Sequence, residues 1–183
     1  MSPAPRVILD ENQIKLTIDR ICHQLIEYHG DFSNSVLIGI QPRGGYLSDR
    51  IKKRIDELMP NNHLKYGKID PTFYRDDFRT KTAPITPSAM ELNFVIDKHK
   101  AILVDDVFFT GRTVRAAMDA LMDFGRPDKV ELLVLIDRRF NRHLPIQADY
   151  IGKEVDSVIS EKVIVNWEIE TGIKDSVSLY ESE

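Results

Sequence analysis

The amino-acid sequence predicts an α/β domain in which helices flank a mostly parallel central sheet. Apolar runs at residues 35–40, 101–104 and 130–136 are typical of strands that are buried on both faces, as in parallel sheets. The first two runs are each followed by a glycine-containing turn and then by apolar residues at helical spacing. Such strand–turn–helix units predict parallel pairing, and 183 residues suffice for one domain with a substantial core, over residues 1–183.

Local signals define the elements before the centre of the sheet. Residues 6–9 read as a short extended segment, and Asp10 is a suitable N-cap for an amphipathic helix that Gly30 ends. A second helix is predicted over residues 46–58, and a strand over residues 66–74.

Residues 75–93 are predicted to form a long excursion. This segment is polar, contains Pro84 and Pro87, and shows no sustained periodicity. Because such long loops in compact domains are usually functional or disordered, we expect a flexible lid over a binding site, with a solvated charge run as the alternative.

The second half of the chain continues the alternation. A helix over residues 113–124 is predicted to end at Gly125 and Pro127. Three shorter extended segments are expected to complete the same sheet. They are residues 148–151, 162–165 and 177–180.

The composition is that of an ordinary globular domain, with 42% hydrophobic and 30% charged residues. No apolar run approaches the roughly 18 to 20 residues that cross a bilayer, and the first residues contain no signal-peptide core, so we expect a cytoplasmic protein that does not bind membranes. The single cysteine, Cys22, falls on the apolar stripe of the first helix, which favours core packing over redox chemistry. The net charge of −4 gives no general attraction for polyanions, but it allows a local basic patch.

Residues 101–115 are the most informative segment of the chain. Asp105 and Asp106 directly follow an apolar strand, where carboxylates can bind sugar hydroxyls through charge-assisted hydrogen bonds. The next loop combines hydroxyl groups, a glycine and a helix N-terminus, which together suit a phosphate. The loop residues are Thr110, Gly111, Arg112 and Thr113. Either half alone could simply cap a turn, but acids beside a phosphate loop describe a site for a phosphoribosyl group.

The segments that follow residues 40 and 136 are also expected at this edge of the sheet, because ligands bind at the carboxyl ends of parallel strands. Arg43 and Gly44 follow the strand at residues 35–40, where a guanidinium and a glycine backbone can bind a diphosphate, although a simple turn is the alternative. Arg75 begins the excursion, and from there it can approach a departing pyrophosphate.

The order of an apolar strand, Asp-Asp, apolar and aromatic residues, and Thr-Gly-Arg-Thr resembles the phosphoribosyl-pyrophosphate signature of the type I phosphoribosyltransferases. The similarity extends over nearly the whole chain to the PyrR family, which combines pyrimidine operon regulation with uracil phosphoribosyltransferase activity. The segments that carry this resemblance are residues 7–11, 43–47, 74–77, 103–127, 144–153 and 160–163.

The resemblance implies a type I phosphoribosyltransferase fold and the transfer of ribose 5-phosphate from phosphoribosyl pyrophosphate to uracil, giving UMP and pyrophosphate. It assigns the ribose hydroxyls to Asp105 and Asp106, the 5-phosphate to residues 110–113, and the pyrophosphate to Arg43 and Gly44. Mg²⁺ is expected to be bound mainly by substrate and water, with the two acids as candidate ligands. The base is expected beside Asp137 and Arg138, and Arg75 completes the catalytic set.

The resemblance also implies a homodimer or higher homo-oligomer that binds the mRNA leader of a pyrimidine operon under the control of UMP and UTP. Asp19 and Gln147 stand where the family has threonine and arginine, so RNA binding is an open question from the sequence. The alternatives are a salvage enzyme for uracil without RNA binding, or one for a purine base. The candidate RNA-binding residues are Arg20, His23, Arg139 and Arg142.

Overall fold

A computed structural model describes residues 5–76, 92–158 and 160–181 of the protein. The central layer is a sheet of five parallel strands. Its strands are β2 (Ser35–Ile40), β3 (Lys65–Ile69), β4 (Lys100–Phe108), β5 (Lys129–Arg139) and β6 (Tyr150–Asp156). They are arranged in the order β3-β2-β4-β5-β6, which confirms the predicted parallel α/β architecture.

Helices cover both faces of this sheet. They are α1 (Glu11–His29), α2 (Arg43–Leu58) and α3 (Arg112–Leu121). Helices α1 and α2 pack into one hydrophobic cluster, which includes the fully buried Cys22, and α3 packs into a second cluster with other residues of the strands. Asp10 is the N-cap of α1 and forms a capping box with Gln13, and Gly30 is its C-cap, as predicted. The described residues contain no helix long and apolar enough to span a bilayer.

Helix α2 begins at Arg43, three residues earlier than predicted. The reason is visible at Gly44, where a Cβ atom would lie 2.3 Å from the carbonyl oxygen of Val104. The absence of a side chain lets the first turn of α2 pack directly against β4. Arg43 therefore starts at a fixed position above the strand that ends in the two acids.

The remaining strands form a second, antiparallel sheet. It contains β1 (Arg6–Leu9), β7 (Glu161–Asn166) and β8 (Ser176–Glu181) in the order β1-β8-β7, and α4 (Glu168–Thr171) joins β7 to β8. The expectation that all three late segments complete the central sheet is thus wrong for residues 162–165 and 177–180. Their connection is too short for a parallel crossover, so the two strands pair with each other as a hairpin.

The strand predicted over residues 66–74 is also shorter than expected. β3 ends at Ile69, and a 3₁₀ turn at Thr72–Tyr74 follows Pro71. Of the predicted lid at residues 75–93, the segment 77–91 lies outside the described residues. Helix α3 ends in another 3₁₀ turn at Met122–Phe124 before Gly125, close to the predicted end.

Candidate active site

A cavity of about 300 Å³ lies at the carboxyl end of β4 and the N-terminus of α3. It brings together two neighbouring parts of the predicted site, the first acid and the phosphate loop, with Arg75 from the start of the excursion. The predicted site residues that line it are Asp105, Thr110, Gly111, Arg112, Thr113 and Arg75. Its apolar walls are formed by Val107, Phe108, Phe109 and Val114.

Both acids of the Asp-Asp pair are buried at this edge, with 8% of Asp105 and 6% of Asp106 exposed. The backbone N–H of Asp106 donates to Asp105 Oδ1 at 2.9 Å. Burial, followed by the neighbouring charge of Asp106, raises the pKa of Asp105 well above its usual range, and Arg43 and Arg75 oppose that shift. A ligand that brings positive charge or donates hydrogen bonds from hydroxyl groups would therefore stabilise the ionised form of Asp105.

The phosphate loop turns at Gly111, whose φ of +93° lies in the left-handed region that glycine adopts without strain. Gly111 is the N-cap of α3, and it has no side chain to accept hydrogen bonds from the first helical turn. Such a terminus suits an anion. Arg75 Nη1 donates to Thr113 Oγ1 at 3.0 Å, and Arg112 Nη2 donates to Asp76 Oδ2 at 2.7 Å. The start of the excursion is thus attached to the phosphate loop.

Arg43 lies beside the same acids. Its Nε donates to Asp106 Oδ2 at 2.8 Å, and its Nη1 donates to Glu170 Oε2 at 3.1 Å. Nη2 donates to the carbonyl oxygen of Val165. Glu170 and Val165 were not predicted, because they belong to the hairpin of the second sheet and carry no motif of their own.

The two predicted base-site residues have different surroundings. Asp137 accepts a hydrogen bond from Arg142, which also donates to the carbonyl oxygen of Phe109 in the cavity wall. Arg138 is buried and lies 3.9 Å from the centroid of the Phe109 ring. Its guanidinium donates at 2.8 Å to Ser157 Oγ and to the carbonyl oxygen of Glu161, so this side chain links β5 to the second sheet.

The predicted RNA-binding residues do not form one contacting group. Arg20 and His23 lie on α1, whereas Arg139 and Arg142 lie at and beyond the end of β5. Arg20 donates to the backbone of β6, and Arg139 pairs with two acids of the same strand. Asp19 contacts Arg54 of α2 at 2.7 Å.

Comparisons with known proteins identify the family. The phosphoribosyl transferase domain family matches residues 7–170. The chain is 46% identical over 179 residues to the "Bifunctional protein PyrR" of Bacillus subtilis, with 97% of each chain covered. It is 43% identical over 168 residues to the protein of the same name from Haemophilus ducreyi, with 92% of this chain and 93% of that protein covered. The chain belongs to the PyrR family of phosphoribosyltransferases.

Solved structures support the fold assignment. A hypoxanthine phosphoribosyltransferase from Staphylococcus aureus superposes with a TM-score of 0.70 at 19% identity, covering 96% of this chain and 92% of that one. The corresponding enzyme from Trypanosoma cruzi gives 0.72 at 15% identity, covering 98% of each chain. This PyrR-family chain thus has the predicted type I phosphoribosyltransferase fold.

Proposed function

We propose that the protein is a cytoplasmic uracil phosphoribosyltransferase, which transfers ribose 5-phosphate from phosphoribosyl pyrophosphate to uracil. The observation that carries this proposal is the cavity in which the buried Asp105 adjoins the N-terminus of α3. The two ends of one sugar phosphate need these opposite polarities, and the spacing of Asp105 and residues 110–113 along a single strand–loop–helix unit supplies both.

Each group has a proposed role. Asp105 and Asp106 bind the ribose hydroxyls, and the loop of residues 110–113 binds the 5-phosphate. Arg43 binds the pyrophosphate, together with the backbone of Gly44. Breaking the bond at C1 of the ribose leaves a cation-like sugar and an anionic leaving group, so fixed carboxylates and guanidinium groups stabilise the two developing charges. Arg75 lies beside Thr113 in the wall of the cavity. Its positive charge is proposed to stabilise the anionic leaving group.

The chemistry of the two acids fits Mg²⁺, which prefers oxygen ligands and keeps several waters. Among the described residues, no group of three or more His, Cys, Asp or Glu side chains is arranged to hold a metal. Asp105 and Asp106 would therefore contribute to a Mg²⁺ ion that is held mainly by pyrophosphate, ribose and water. When bound, the ion would neutralise charge on the leaving group.

The base is proposed to lie against the segment that begins at Asp137. Because the guanidinium of Arg138 is directed to Ser157 and Glu161, its proposed role is to hold this segment in place. Uracil would then be recognised largely by backbone groups. We propose uracil, and not a purine base, as the substrate because the chain resembles the PyrR family in segments along nearly its whole length.

The decisive experiment is a product assay with phosphoribosyl pyrophosphate and a panel of free bases. We expect UMP from uracil, with little product from hypoxanthine or guanine. Chelation of Mg²⁺ should abolish transfer without changing the circular dichroism spectrum, because residues 5–76, 92–158 and 160–181 contain no all-protein metal cage. Product from a purine base alone would contradict the uracil assignment.

We also propose that the protein forms a homodimer or higher homo-oligomer and binds the mRNA leader of a pyrimidine operon when UMP or UTP occupies the active site. The support is the name of the relatives, together with Arg20 and the exposed His23 on one face of α1. Asp19 forms an ion pair with Arg54. This pair occupies a guanidinium that could otherwise bind a phosphate of the RNA.

Gel-shift titrations with the leader RNA test this regulatory half. Binding should weaken with salt and strengthen with UMP. Asp19→Thr should tighten binding by roughly 0.5 to 1 kcal/mol at low salt, because it removes an anion and releases Arg54. Arg20→Ala should weaken RNA binding and leave uracil transfer unchanged. Absence of binding by wild type and both variants would leave a salvage enzyme without RNA regulation.

A further inference from the structure

Arg43 is held by two acids that belong to different layers of the protein. Asp106 lies at the end of β4 in the parallel sheet, and its Oδ2 is 2.8 Å from Arg43 Nε. Glu170 lies on α4, the helix that joins β7 to β8 of the second sheet, and its Oε2 is 3.1 Å from Arg43 Nη1. With Nη2 directed to the carbonyl oxygen of Val165, all three guanidinium nitrogens have protein acceptors.

Binding of a phosphoribosyl substrate would affect the two acids differently. In the proposed function Asp106 gains a partner when the substrate binds, because it contacts the ribose. Glu170 is not part of the cavity lining, and the group that would approach it is the pyrophosphate bound by Arg43. Pyrophosphate and Glu170 are both anions, so they compete for the same guanidinium.

The exposure of this pair indicates a displaceable contact. The side chains of Arg43 and Glu170 are 34% and 35% exposed, so water screens their attraction and keeps it modest. A polyanion can therefore displace Glu170 from Arg43. When the anion leaves, the Glu170 carboxylate can pair with the Arg43 guanidinium again.

We propose that Glu170 is a positioning residue that holds Arg43 in a resting position and thereby limits how tightly the site binds pyrophosphate. This inference rests on the proposed role of Arg43 in pyrophosphate binding. Glu170 favours release of the pyrophosphate product, since it offers Arg43 an alternative acceptor in the second sheet.

Isothermal titration of the full chain with magnesium pyrophosphate tests the inference. Glu170→Gln keeps the size of the side chain and removes its charge, so the Kd for magnesium pyrophosphate should fall about two- to fivefold. The KM for phosphoribosyl pyrophosphate should fall in parallel, without a rise in kcat. Glu168→Gln is the matched control, because it removes one charge from the same short helix and Glu168 is not among the partners of Arg43. Its Kd should equal that of wild type.

Unchanged or weaker pyrophosphate binding by Glu170→Gln would overturn the assignment, and so would equal tightening by Glu168→Gln. A lower melting temperature without a change in Kd would show a structural role and would also count against it. Wild-type protein that binds no magnesium pyrophosphate would contradict the proposed function itself. A failure of the Glu170 inference alone leaves wild-type binding intact, so the two failures are distinguishable.

Discussion

Both ends of the parallel sheet bury carboxylates, but the protein provides these carboxylates with different partners at each end. At the carboxyl end, Asp105 lines a cavity, and the buried Asp106 follows it in the chain. At the amino end, Glu131 is 1% exposed. It lies 3.0 Å from His29 Nε2 and 2.7 Å from Lys129 Nζ, and it accepts a hydrogen bond from Tyr150 Oη at 3.2 Å.

The difference lies in the partners available to each acid. Both carboxylate oxygens of Glu131 have a partner within the protein, and the same contacts join the end of α1 to β5 and β6. In contrast, burial and the charge of Asp106 raise the pKa of Asp105. An acid that the protein satisfies by itself stabilises the fold, whereas an acid left with too little positive charge is suited to a ligand.

Removal of Glu131 should have the largest effect on the fold. Glu131→Ala removes a buried carboxylate, and His29 and Tyr150 then keep only their other hydrogen bonds, including the one between them at 3.0 Å. Because a buried charged network loses its central acceptor, we expect a loss of about 3 kcal/mol in the free energy of unfolding. UMP formation per folded molecule should be unchanged, because Glu131 is paired with Ile102, three residues before Asp105, and does not line the cavity. Denaturant unfolding measures the loss, and Glu154→Ala on the exposed surface of β6 is the control, with a change within about 0.5 kcal/mol. Wild-type stability of Glu131→Ala would remove the distinction between the two ends.

At the carboxyl end of the sheet, Asp106→Asn should reduce activity and not stability. The fold should persist, since the change removes one of two adjacent buried charges. Turnover should fall by one to two orders of magnitude, equivalent to about 1.4 to 2.8 kcal/mol of transition-state stabilisation. Steady-state UMP formation measures this effect, and Asp119→Asn on the exposed face of α3 is the matched control. A folded Asp106→Asn variant with undiminished turnover would refute the proposed role of this acid.

The smallest effects concern pH, and they should have opposite signs at the two ends. Burial lowers the pKa of His29, so its contribution to stability is present above about pH 6.5 and is lost as the pH falls through the folded-state pKa. The raised pKa of Asp105 acts in reverse, because its contribution is complete below about pH 4 and is lost as the pH rises through the folded-state pKa. Each unit of pKa shift corresponds to at most about 1.4 kcal/mol.

Unfolding measurements between about pH 4 and about pH 8 span the ordinary pKa values of aspartate and histidine, so they can separate these contributions. The stability difference between wild type and His29→Gln should narrow toward acid pH. Relative to Asp105→Asn, wild type should become less stable as the pH rises. A shift in the same direction for both comparisons would show that the two ends do not differ in the way described.

What could be predicted from the sequence depended on how far apart the interacting residues lie in the chain. The acids and the phosphate loop occupy one strand–loop–helix unit, so their meeting follows from local structure. The contact of Arg43 with Glu170 joins residues 127 positions apart, and no local pattern indicates it.

The same limit applied to the fold. The direction of the Arg138 side chain depends on the second sheet, which was predicted as part of the first. The early start of α2 depends on close packing of Gly44 against Val104, a contact between elements that periodicity does not detect.

The way in which arginines attach β7 to the rest of the protein has a consequence for sequence variation. Arg43 donates to the carbonyl oxygen of Val165, and Arg138 donates to that of Glu161. Main-chain oxygens are present whatever amino acid occupies the position, so both anchoring points survive substitution along β7. Homologous chains can therefore diverge in this strand and still hold it beside the site, provided that the two arginines are retained.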